Sequence, residues 1–188
     1  PGGELMTISI KASGNLASLQ KKLEQRMPKS VLVGIDDKSD VAEYAKYVEY
    51  GWVQRVTEKQ SRYLSGVLGG SAPAPGSSLV NPPRPFLRGT FSAERKKWKD
   101  VMQNSLARDL FNFDLALIRV GMVAAEDIRE TIIKGGTSKQ KFPKRSSLTM
   151  ALYQALKGDR KGEGGNSDTD KPLVLSGSLL NAITYKLE

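Results

Sequence analysis

Asn81-Pro82-Pro83-Arg84-Pro85-Phe86-Leu87-Arg88-Gly89-Thr90 is the stretch on which the fold turns. It separates two unlike regions. Twelve of the fifteen residues 69–83 are Gly, Ala, Ser or Pro. So little apolar surface cannot offset the entropy of ordering, and the composition predicts a mobile excursion within one domain. After the stretch, Trp98, Val101, Met102, Leu106 and Leu110 recur at spacings of three and four. That is one face of an amphipathic helix, with Thr90 or Ser92 as its expected cap. Pro82, Pro83 and Pro85 each fix φ and restrict the residue before, so the return into the fold is stiff. Pro85, Phe86 and Leu87 are the expected anchors of that return. Arg84 and Arg88 are expected to face outward or to pair with Glu49.

Working downstream, Leu115, Ile118, Met122, Ala125, Ile128 and Ile132 continue the helical spacing as far as Gly135-Gly136. The pattern is one long helix or two, broken near Asn112-Phe113-Asp114. A basic loop over 135–146 follows, and Ser146 or Ser147 should cap a short helix carrying Leu148, Leu152 and Leu156. Residues 158–172 are Gly-rich and charged and read as a second mobile loop. Leu175, Leu179, Leu180 and Ile183 give a last helical turn or two, and Ala182 to Leu187 alternates as a closing strand.

Upstream, Thr7-Ile8-Ser9-Ile10 alternates like a half-buried strand. Leu16, Leu19, Leu23 and Met27 then lie on one helix face, ending before Pro28. Val31-Leu32-Val33-Gly34-Ile35 reads as a buried strand. Asp40 and Glu43 have capping-box spacing for a helix whose inner face is Val41, Tyr44, Ala45 and Val48. Gly51 should end it. Tyr50 and Gly51 join the expected anchors. Val53 and Val56 fit a strand, and Glu58 to Leu68 a short helix or an irregular arm.

The 188 residues suffice for one good core, and 1–188 is read as a single domain. The chain has no Cys and no His. Disulfides, thiolate metal sites, and Ser-His or Cys-His dyads are therefore excluded. No apolar run approaches the roughly 20 residues of a membrane span, and Pro1 to Leu5 is too short and polar for a signal peptide. Asp36, Asp37, Asp40 and Glu43 cluster, but Val41 stands where a calcium loop needs Gly. Gly135-Gly136-Thr137-Ser138-Lys139 has the composition of a phosphate loop in the wrong order and after a helix, so it reads as a helix stop. No catalytic, cofactor or metal residue is visible, and no enzyme activity or cofactor is expected.

Net charge is +9, unevenly placed. Residues 81–110 carry seven basic and three acidic side chains, and residues 134–188 ten and five. Arg84, Arg88, Arg95, Lys96, Lys97, Lys99, Lys141, Lys144 and Arg145 are accordingly the candidate partner-contacting residues, toward an acidic protein face or non-specifically toward DNA. Basic side chains at the start of a helix oppose its macrodipole, which hints at an external purpose. No helix-turn-helix, zinc-finger or RNA-recognition signature accompanies them.

Four pieces in order resemble a known family. A strand ends in Val33-Gly34-Ile35, and a helix ends in Glu49-Tyr50-Gly51. Pro83-Arg84-Pro85-Phe86-Leu87-Arg88 then steps into a long helix. The chain closes with Lys171-Pro172-Leu173-Val174-Leu175-Ser176-Gly177-Ser178-Leu179-Leu180-Asn181-Ala182-Ile183-Thr184-Tyr185. This order is similar to the head–tail connector or tail-completion (virion morphogenesis, minor tail) proteins of tailed bacteriophages, over about residues 31–188. Ser176 stands where that family usually has Thr, and 53–80 is longer and richer in Pro. The resemblance implies an α+β subunit, a small antiparallel sheet packed against long helices, with no catalytic role. It implies a homo-oligomeric ring in the virion neck, between head connector and tail tube, assembled in the host cytoplasm. Tail completion is the leading role, with tail terminator or head-side stopper next. The rival of another class is a DNA-binding accessory protein.

Overall fold

The computed structural model describes residues 30–70, 72–109, 112–155 and 177–188. The strand expected at Thr7–Ile10, the helix through Leu16 and Met27, and the loop 158–172 lie outside the described residues. Within them the architecture is α+β, with long helices and two small antiparallel sheets. Strand β1 (Val31–Ile35) leads to helix α1 (Ala42–Tyr50), strand β2 (Trp52–Arg55), helix α2 (Glu58–Leu68) and strand β3 (Ser78–Asn81). Helices α3 (Phe86–Arg108), α4 (Phe113–Lys134), α5 (Ser147–Ala155) and α6 (Ser178–Asn181) follow, and strand β4 (Ile183–Leu187) closes the chain.

The first and last described strands pair with each other, from Val31↔Leu187 to Ile35↔Ile183. Helix α4 lies against both strands and α3 packs along α4. The approach of α4 to the sheet is close because residue 121 is Gly. A Cβ there would stand 2.7 Å from Tyr185 Cδ2 and 2.9 Å from Val31 Cγ2. The core is Ala45, Val48, Phe86, Ala125, Ile128, Ile132, Phe142, Leu179 and Ile183, with Val33, Ile35, Leu87 and Leu180 against it. It therefore joins α1, α3, α4, α6 and β4 into one cluster.

Two helices replace the single alternative after Phe86. Asn112 caps the second, its Oδ1 accepting from Leu115 N at 3.1 Å. Gly135, with φ of 68°, stops it. Ser146 caps α5 as expected, accepting from Thr149 N. Helix α2 starts on a Thr57–Gln60 capping box, so the segment after Val56 is a regular helix.

Four expectations are corrected. First, residues 78–81 are not a mobile excursion. They form β3, paired with β2 from Trp52↔Asn81 to Arg55↔Ser78. Val56 N donates to Ser77 O, Gly76 N donates to Val56 O, and Ser61 Oγ donates to Pro73 O. Backbone pairing supplies what side chains there cannot. Second, α3 begins at Phe86, so neither Thr90 nor Ser92 is a cap. Thr90 is fully buried in the helix, its hydroxyl bonded to Phe86 O and 2.8 Å from Thr131 Oγ1. Third, Asp40 does not cap α1. The cap position is Val41, and Ser39 Oγ accepts Val41 N at 3.4 Å. Fourth, Tyr44 and Met122 lie on the exposed sides of their helices, while Ala42 and Glu49 are buried on α1.

Candidate functional site

Two stretches of the resemblance, Glu49-Tyr50-Gly51 and Pro83 to Arg88, meet in one junction. Its basis is a shortage of hydrogen bonds at the start of α3. The first four N–H groups of a helix have no partner inside it. Pro85, at the cap position, has no side-chain acceptor. Phe86 N donates to Arg84 O, and Gly89 N finds Pro85 O. The other two go to one distant carboxylate: Glu49 Oε2 accepts Leu87 N at 2.9 Å and Oε1 accepts Arg88 N at 3.0 Å. A negative charge there also meets the positive end of the helix dipole.

Arg88 then closes over this carboxylate. Its Nε donates to Glu49 Oε1 at 2.9 Å and its Nη2 to Glu49 O at 3.0 Å. Its guanidinium carbon lies 4.4 Å from the centre of the Tyr50 ring. Gly51 lets the two segments touch. With φ of 72° and a hypothetical Cβ 2.7 Å from Asn81 O, no side chain fits. Phe86, fully buried, pins the junction to the core, and Leu87 packs against it.

Arg84 corrects its expectation. It neither faces outward nor pairs with Glu49; it is only 6% exposed. Its Nε donates to Pro143 O, its Nη2 to Lys144 O and its Nη1 to Asn81 Oδ1. It therefore ties the end of β3 to the basic loop. Burial pushes its guanidinium below the usual arginine range. Tyr50 is likewise no core anchor, being 64% exposed and serving instead as the platform under Arg88.

A second node joins α3 to α4. Asp127, buried on α4, accepts Lys97 Nζ at 2.6 Å and Trp98 Nε1 at 2.7 Å. The bond to Asp127 holds the Lys97 ammonium above its ordinary range. Lys97 is thus engaged within the chain. Arg95, Lys96 and Lys99 are exposed, and with Lys141 they make no ion pair among the described residues. They sit well past the first turn of α3, so they do not oppose its dipole. Lys144 and Arg145 both have interaction partners. Glu49 and Asp127 carry both nodes. The sequence offered Glu49 only as a possible partner of Arg84 or Arg88, and it did not single out Asp127.

Outside the junction, the exposed side of α1 presents Tyr44, Tyr47 and Tyr50 at three-residue steps. The β2–β3 ribbon continues this apolar surface. Val53 and Val80 are cross-strand partners, 69% and 61% exposed. No group of three or more acidic side chains among the described residues is placed to hold a metal ion. No helix among them is long and apolar enough to cross a membrane. No family model, curated protein or solved structure matches the chain.

Proposed function

We propose that the chain is a structural subunit of a tailed-phage neck, forming a homo-oligomeric ring that completes the tail and joins it to the head connector. Tail terminator or head-side stopper are the neighbouring roles for such a ring. The subunit would reach the virion from the host cytoplasm. The observation that carries this reading is the junction itself. Glu49-Tyr50-Gly51 and Pro83 to Arg88, two stretches of the family resemblance, are interlocked by the Glu49 carboxylate, the Arg88 guanidinium and the Gly51 contact. Their co-occurrence in the sequence therefore has a physical reason. A ring also gives the exposed Tyr44, Tyr47, Val53 and Val80 something to bury against, since a heterologous contact whose rotation closes repeats around an axis as a ring.

Light scattering on purified protein at low and high salt tests the proposal. A discrete oligomer that persists at both and without DNA is expected, and Val53→Asp should reduce it to a folded monomer. The rival reading, a DNA-binding accessory protein, draws on the exposed Arg95, Lys96 and Lys99. A monomer that binds DNA with a steep salt dependence would overturn the ring in its favour.

A further inference from the structure

A heterologous contact joins two different surfaces of the same chain. One of them is the exposed side of α1 with the β2–β3 ribbon. The other must offer apolar area of its own and suit the first in charge. The charge of the first surface is set at the start of α1. Asp36, Asp37, Asp40 and Glu43 are all exposed, and Lys38 and Lys46 are the basic residues among them. Four acidic against two basic side chains leave residues 36–47 at −2. Glu43 and Tyr47 stand one turn apart, and the Tyr47 hydroxyl donates to Glu43 Oε1 at 3.3 Å. The acidic start and the tyrosine side of α1 are therefore one continuous surface.

The surface that suits it lies on α3. Arg95, Lys96 and Lys99 are exposed there, and Phe91, one turn before Arg95, is 58% exposed. At steps of four, Phe91, Arg95 and Lys99 form one row along the helix. The loop after α4 adds a further cation. Lys139 Nζ donates to Ser92 O at 3.1 Å, which sets that ammonium beside α3, one turn from Lys96. Two segments distant in sequence thus meet in one basic face. Glu94 and Asp100 are the acidic residues of the same stretch of α3, so four cations against two anions leave +2, with Lys97 set against Asp127. Phe91 meets Trp98 edge-on at 5.8 Å, and Trp98 is itself bonded to Asp127. The exposed ring is braced before any partner arrives.

We propose that the α3 face of one copy, Phe91 with Arg95, Lys96 and Lys99, receives the acidic start and tyrosine side of α1 from a second copy. This contact rests on the proposed ring and supplies its second surface. Charge sets which face meets which, and the tyrosines, Phe91 and the ribbon valines supply the buried area. A second copy is favoured over duplex DNA because an exposed ring stands beside the cations, and a phosphate backbone offers nothing to cover it. A neighbour seated on α3 competes with DNA for the same cations.

Charge exchange in the full chain tests this, with self-association read by analytical ultracentrifugation and folding by circular dichroism. Arg95→Glu with Lys96→Glu and Lys99→Glu should weaken association at least ~100-fold, because like charges then face each other across the contact. Asp37→Lys with Asp40→Lys and Glu43→Lys should do the same. All six changes in one chain restore opposite signs and should bring the oligomer back. If a triple variant fails to fold, Lys96→Gln with Lys99→Gln should give a smaller loss and a flatter salt dependence. Oligomers unchanged in both triple variants would overturn the contact and leave the ring standing. If the α3 variant then loses only DNA binding, the face belongs to nucleic acid. A six-site variant that is folded but monomeric would also overturn the contact. A dimer that obeys the exchange would keep the contact and overturn the ring. An unaltered chain that is monomeric at every salt concentration would overturn both.

Discussion

Removing the Glu49 carboxylate tests the junction most directly, because two helix N–H groups depend on it alone. Glu49→Ala orphans Leu87 N and Arg88 N at the start of α3. A buried donor left unsatisfied costs about 1–3 kcal/mol, and the lost charge at the helix N-terminus about 0.3–1 kcal/mol more. Arg88 adds little, since its side chain is 56% exposed against 4% for Glu49 and can return to water. Taking each N–H near the low end, because the junction rim can admit water, gives roughly 3 kcal/mol. Glu49→Gln keeps one acceptor oxygen, so about 2 kcal/mol is expected. Arg88→Ala loses an exposed ion pair and the Tyr50 contact, about 1 kcal/mol. Urea unfolding followed by circular dichroism should place the three variants in that order. Thermal midpoints should fall by roughly 6–12 °C for Glu49→Ala in a chain of this size. If Arg88→Ala costs as much as Glu49→Ala, the carboxylate serves the arginine rather than the helix, and the capping account is wrong.

Phe86→Ala should cost about 3–5 kcal/mol in the same assay, the range for a fully buried aromatic ring. Two glycines should respond with opposite signs. Gly66→Ala, in α2 with nothing within 4 Å of the added methyl, should stabilise by about 0.5–1 kcal/mol. Gly121→Ala should destabilise by about 1–3 kcal/mol, because its methyl strikes the Tyr185 ring and Val31. Two pH effects should separate cleanly. The bond from Arg119 holds the Asp109 carboxyl below its ordinary 3.8. The stability it confers is present above pH 3.8 and lost as pH falls through the lower folded value. The gap between the unaltered chain and Arg119→Gln should shrink only there. Lys97, held above its ordinary 10.5 by Asp127, works in reverse. Its contribution is whole below pH 10.5 and lost as pH rises through the folded value, which a comparison with Lys97→Met in alkaline unfolding would detect.

What was legible in the sequence was local. The stops at Gly51 and Gly135 and the Ser146 cap depend on neighbours a few residues away, and the strand at Val31–Ile35 and the closing strand, though they pair with each other, each carry their own β-branched or alternating run. A spacing of three and four names a stripe on a helix, but the edges of that stripe depend on what packs against it. Hence Ala45 and Ile128 are core while Tyr44 and Met122, on the same predicted faces, are exposed. The strand at 78–81 was illegible because its stability comes from pairing with β2, and low apolar content says nothing about backbone pairing. Glu49 was read only as a possible partner of an arginine, because its main work is for a helix whose second residue, Leu87, lies 38 residues later. Arg84 carries the same lesson. A charge count treats every arginine as surface, yet carbonyl oxygens from residues 143 and 144 and the Asn81 side chain satisfy this one inside the fold.

That lesson bears on the DNA question. Nine basic residues were candidates for an outward face, but the fold spends several of them. Arg84 is buried, Arg88 is bound to Glu49 and Lys97 to Asp127, and Lys144 and Arg145 have partners of their own. Arg95, Lys96, Lys99 and Lys141 remain exposed without an ion pair among the described residues. Each phosphate neutralised on duplex DNA contributes about −0.9 to the slope of log K against log salt. Four cations limit that slope to about −4, whereas all nine would give about −8. A fluorescence-anisotropy titration of duplex DNA over a salt series measures it. A slope near −8 would mean that the internal pairs open on binding or that basic residues other than these nine take part. A slope of −4 or shallower, lost in a variant with Arg95, Lys96 and Lys99 changed to Gln, would limit DNA to a weak contact along α3. Contact that weak suits a surface past which DNA moves better than one that holds it, since binding falls steeply as salt rises toward physiological strength.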